Sequence, residues 1–153
     1  MAPAVYITVV LFSPCLKLDH LGHLTKNVPR ISQHHKTSLS ETLTRFYPFA
    51  GKIKDHVSIE CNGNGAHFVE AQCHCHLFDI LQKPDTEMLQ KFFPVVMESI
   101  TGSLLQVQVT FFGCGGMAMG KYVFPISSQT HQPQACSSRA GQPPPAVMTT
   151  LRR

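Results

Sequence analysis

Between Leu105 and Phe111 apolar and polar residues alternate without a break, with Leu105, Val107, Val109 and Phe111 set against Gln106, Gln108 and Thr110. A period of two is the mark of a β-strand, because successive side chains on a strand point to opposite faces. Gly113, Gly115 and Gly116 turn the chain after it, and Met117 to Gly120 starts its neighbour. The chain is thereby committed to a sheet.

Other segments fill in that sheet and cover it. Val5 to Phe12 is rich in β-branched residues and is stopped by Ser13-Pro14, which reads as a buried strand. Its apolar run is too short to span a bilayer, and no Lys or Arg precedes it as a signal peptide's charged start would require. Lys17 to His35 is polar, His-rich and broken by Gly22 and Pro29, so a connection with little regular structure is expected there. Ser38 and Glu41 then have capping-box spacing, and Leu39, Leu43, Phe46 and Tyr47 recur at helical intervals until Pro48 ends the pattern.

Val57, Ile59 and Cys61 alternate with polar residues, and Asn62-Gly63-Asn64-Gly65 supplies the positive-φ residues of a hairpin turn. The spacing predicts a β-hairpin whose second strand runs from Ala66 to Cys75. Leu77 to Leu81 and Glu87 to Phe93 are short amphipathic segments ended by Pro84 and Pro94.

At Lys121 the character changes. The last 33 residues carry Pro125, Pro133, Pro143, Pro144 and Pro145 and no sustained periodicity, so 121–153 is expected to be a disordered tail behind a folded region at 1–120. With 43% hydrophobic and 14% charged residues, disorder of the whole chain is excluded. The net charge of +4 resides in that tail, which holds Lys121, Arg139, Arg152 and Arg153 and no acidic residue. A phosphate-binding footprint clusters on a folded face instead, so no nucleic-acid partner is expected. Without an export signal, the six cysteines are expected to be reduced thiols in the cytosol.

Cys73-His74-Cys75-His76 is the one dense set of metal-ligating residue types. On a strand Cys73 and Cys75 face one side and His74 and His76 the other, so the four cannot converge on one ion. His20 and His23 form an H-x-x-H near His34-His35, but solvated loop histidines are the expected reading. Cys61, Cys73 and Cys75 read as small buried residues. No local signature of an activated nucleophile is present, so neither a catalytic residue nor a metal ligand is assigned.

The order of segments resembles the BAHD acyltransferases of plants. The resemblance rests on "VYITVVLFSP" (5–14), "SLSETLTRFYPFAGKIKD" (38–55), "IECNGNGAHFVEAQ" (59–72) and "LLQVQVTFFGCGGMAMG" (104–120), and is nearest to the branch that acylates alkaloids and other plant alcohols. It implies an α/β fold, a mixed sheet with flanking helices, forming part of the first domain of a two-domain architecture similar to chloramphenicol acetyltransferase. It also implies acyl transfer from acyl-CoA, a co-substrate and not a bound cofactor, to the hydroxyl or amine of a small molecule. In the family the His of an H-x-x-x-D motif is the general base, and a D-F-G-W-G loop supports the fold.

The likeness stops just short of that base. Where the motif is due, after Gly120, this chain has Lys121-Tyr122-Val123-Phe124-Pro125-Ile126-Ser127-Ser128-Gln129-Thr130, and no His in it has Asp four residues later. His56 has Glu60 at that spacing, far upstream, and the absence of Trp removes D-F-G-W-G. A shifted reading frame would account for the break, with a gene-model artefact at an exon boundary or a genuine disordered extension as the alternatives. Read one base back, His and Asp each require Ile, Met or Thr, and Ile126 and Thr130 stand four apart. One allowed codon set then spells Val-Cys-Val-Ser-His-Lys-Leu-Ala-Asp. The expectation is an incomplete acyltransferase, inactive alone, with self-association through exposed sheet edges. The alternatives are a non-enzymatic interaction module and a small Cys/His metal protein.

Overall fold

The computed structural model describes residues 7–14, 24–54, 58–61, 65–94, 103–124 and 149–152. Five strands make one mixed sheet: β1 (Ile7–Ser13), β4 (His67–Cys73), β5 (Leu105–Phe112), β6 (Met117–Val123) and β7 (Thr149–Arg152), in the order β1-β6-β5-β4-β7. β5 and β6 form the expected antiparallel pair, with Val109 opposite Met119. Their turn is closed by the Gly115 amide on the Phe112 carbonyl, and Gly115 itself has φ 86°. β1 adds antiparallel to β6, while β4 runs parallel to both β5 and β7. β7 lies within the segment 121–153, and β6 itself runs three residues past Gly120.

The expected hairpin between residues 57 and 75 does not form. β3 (Ser58–Glu60) pairs with β2 (Lys52–Lys54) in a separate two-stranded sheet, and β4 pairs elsewhere. The reason is burial. Phe68, Val69 and Ala71 put apolar side chains on both faces of β4, which suits an inner strand of a covered sheet. Gly65, at φ 74°, carries the chain from the small sheet to the large one, although Asn62, Gly63 and Asn64 lie outside the described residues.

A helix, α1 (Leu24–Arg45), occupies most of the stretch expected to be irregular, and it contains Pro29. Ser38 is therefore mid-helix, accepting at its carbonyl from the Thr42 hydroxyl at 2.8 Å, and is not a cap. Val28, Ile31 and Leu39 pack against Phe68, Val107, Val109 and Phe111, so α1 covers one face of the sheet. Leu43 continues the contact to Ala50 and Ala66, beside the short 3-10 turn Tyr47–Ala50. The interval from residue 28 through 31, 35, 39 and 43 is helical throughout; this stripe overrides the cost of Pro29.

The opposite face is covered by α2 (Leu77–Gln82) and the residues after α3 (Thr86–Gln90), through Leu77, Ile80 and Phe92 on Phe112 and Ala118. Asp85 caps α3 by accepting from the Glu87 amide. Gly120 lies so close to this layer that a Cβ there would sit 2.0 Å from the Phe92 carbonyl oxygen. Both faces of β5 are thus buried, and its polar set goes inside with the apolar one: Gln106, Gln108 and Thr110 are each at most 3% exposed.

Candidate functional site

The sheet fixes where the chain leaves β6. Val123 sits between Ile7 of β1 and Leu105 of β5, and the Phe124 amide donates to the Leu104 carbonyl at 2.9 Å. Tyr122 stacks on Phe93 at 5.2 Å between ring centroids. Lys121 acts electrostatically on His35 of α1. His35 has its pKa lowered, first by desolvation and then by the nearby His34 and Lys121 charges, so its imidazole is neutral at pH 7. His67 is lowered likewise by desolvation and by Lys52.

A second cluster lies under α1. The Ser32 hydroxyl donates to the Glu70 carboxylate, and Lys36 pairs with the same oxygen. The Lys36 ammonium also stands 5.3 Å from the Phe68 ring centroid. A carboxylate neutralised by an ammonium is a poor base for a serine hydroxyl, so this arrangement anchors α1 to β4 and does not activate Ser32.

The cysteine expectations need correction. Cys73 and Cys75 are joined in a disulfide, with Cα atoms 5.3 Å apart, and Cys61 is also disulfide-bonded. β4 ends at Cys73 and the chain bends at Cys75, which brings the first two thiols within bonding range. Cys73 and Cys75 pack with Cys114 against the Leu77–Phe112 cluster, while His74 and His76 are exposed. With the two thiols bonded to each other, no pair of thiolates remains there for an ion. Among the described residues no three His, Cys, Asp or Glu side chains converge. His20, His23 and His56 lie outside the described residues, as do Ile126 and Thr130. No helix of the described residues is long and apolar enough to cross a membrane.

The sheet with α1 on one face and α2 on the other makes a mixed α/β layer, a class that hosts many unrelated activities. A profile of the Transferase family matches residues 5–123. A limonoid 21-O-acetyltransferase from Melia azedarach is 38% identical over 78% of this chain and 27% of its own length. The BAHD acyltransferase BIA1 of Arabidopsis thaliana is 38% identical over 74% of this chain and 25% of its own. The crystal structure of vinorine synthase superposes with a TM-score of 0.64 at 33% identity, covering 77% of this chain and 29% of that one.

The chain belongs to the BAHD acyltransferase family. It spans about a quarter of the length of the curated relatives it matches.

Proposed function

We propose that the chain is an amino-terminal portion of a BAHD acyltransferase, with residues 1–120 the partial first domain and 121–153 a tail, and that it does not catalyse acyl transfer alone. The intact family protein would take an acyl-CoA and a small-molecule alcohol or amine. A cytoplasmic setting fits both substrates.

The observation that carries this reading is the place where the likeness ends. The family match stops at residue 123, where β6 leaves the sheet, and no His-x-x-x-Asp follows in the chain. Loss of a general base removes a factor on the order of 10²–10⁴ from the rate. Purified chain, supplied with acetyl-CoA and a panel of plant alcohols, should release no free CoA above the rate without protein. Turnover at an enzymatic rate overturns the reading.

A non-enzymatic interaction role has one observation in its favour. Ile7, Val9 and Leu11 project from β1 at 52%, 40% and 55% exposure, an apolar row on an edge strand.

A further inference from the structure

α1 covers its face of the sheet as far as β6 and stops there. Met117 and Met119 of β6 are packed under it, whereas their neighbours across the ladder on β1 are bare: Leu11 lies opposite Met119, Val9 opposite Lys121 and Ile7 opposite Val123. β1 is also the last strand on its side of the sheet, so among the described residues its outer amides and carbonyls face no partner.

Edge strands that stay single carry charge, proline or a bulge. Ile7-Thr8-Val9-Val10-Leu11-Phe12-Ser13 carries no charge and no proline, and its ladder with β6 runs through all seven residues without a bulge. The opposite edge differs, since β7 is four residues long and includes Arg152.

We propose that β1 is a self-pairing edge: two copies of the chain join antiparallel through β1 about a two-fold axis at Val9, merging their sheets into one. This rests on the proposed function and deepens it, since it gives the self-association of the chain a named strand and a geometry. The symmetry follows from the strand itself. An antiparallel pair is self-complementary, which is what a two-fold contact needs. Directly opposed residues on paired strands point to the same face. With the axis at Val9, Ile7 lies opposite the partner's Leu11 and Val9 opposite the partner's Val9. Six exposed apolar side chains then form one stripe on the α1 side, and an uncharged strand sets no like charges against each other. The contact closes at two copies.

Size-exclusion chromatography with light scattering on the full 153-residue chain tests this across the micromolar range. The expected mass is twice the 17.0 kDa of one chain. Val9→Lys sets ammonium against ammonium across the axis and should return the mass to that of one chain, with an unchanged far-ultraviolet circular dichroism spectrum. Val9→Thr keeps the β-branched shape and should raise the dissociation constant at least about tenfold, which is ~1.4 kcal/mol. Phe78→Lys, on exposed α2, should leave the dimer intact.

A wild-type monomer at every concentration overturns the proposal. So does a polydisperse aggregate, a dimer that survives Val9→Lys, or one that Phe78→Lys dissolves. These masses are read independently of the acyl-transfer assay, so either result can fail while the other stands.

Discussion

His35 and His67 show how burial alone sets a residue's titration. Desolvation is the first cause of the lowered pKa at both, and the neighbouring cations add to it: Lys121, with His34, at His35 and Lys52 at His67. The unfolded chain titrates at the ordinary value of 6.5, above the folded values. As pH falls from there, the unfolded state binds protons before the folded state does. Stability is therefore full above pH 6.5 and is lost as pH falls through the depressed folded values. Thermal melts taken from neutral pH downward should show a declining midpoint, and the His35→Gln, His67→Gln double variant should show a shallower slope. A wild-type midpoint unmoved across that window contradicts the assignment.

Gln106 and Gln108 carry a different kind of cost. Both are 1% exposed, and the Gln108 amide nitrogen donates to the Lys91 carbonyl at 2.8 Å, yet the side-chain oxygens of both accept from no group among the described residues. Each such oxygen costs about 1–3 kcal/mol. Alternation in the sequence reads the same for a half-exposed strand and for this one. It marks two faces, and α2 together with Phe92 is what closes the second.

At the scale of elements, α1 is where local and tertiary preferences disagree. Pro29 lacks an amide donor and sits in the sixth position of a 22-residue helix. A proline in a helix interior is about 3 kcal/mol less favourable than alanine. The packing of Val28 and Ile31 on the sheet keeps the turn helical, helped by the Ser32–Glu70–Lys36 contact. Pro29 is solvent-exposed, so Pro29→Ala removes the penalty without loss of a buried contact. It should stabilise the fold by roughly 1–3 kcal/mol, seen as a higher midpoint in chemical denaturation. A lower midpoint would show that the proline's fixed φ is needed to start the helix.

The two halves of α1 were not equally legible. Leu39 and Leu43 repeat without interruption, whereas Val28 and Ile31 are separated from them by Ser32, His34, His35 and Lys36. Three of those four polar residues turn towards the protein, Ser32 fully and His35 and Lys36 half-buried, which hydropathy does not reveal. Glu70 is the reason for two of them, and it lies 38 residues from Ser32 in sequence.

For the whole molecule, the central fact is coverage. The described sheet is that of the family, and the family match ends with β6. A reading-frame shift after Gly120 would end it there. Sequencing the transcript should show His and Asp codons, in the frame one base back, at the positions of Ile126 and Thr130. A transcript that spells neither in that frame disposes of the shift. The absence of an H-x-x-x-D spacing was legible because a motif is a matter of residue identity. The open β1 edge was expected only in general terms; which strand is open depends on the strand order.

The sequence by itself determined the two-faced strand β5, its turn into β6, the short helices after Leu77, and membership of a family whose catalytic motif the chain does not contain. These are local patterns, set by the steric freedom of glycine, the missing amide of proline and the periodicity of one segment. The tertiary structure decided that β4 lies between β5 and β7 instead of folding back on β3, that α1 runs through Pro29, that Cys73 bonds to Cys75, and that β1 is an edge of the described sheet. Each of those outcomes turns on which distant surface a segment can be buried against, and a segment's own residues state only that it needs burying.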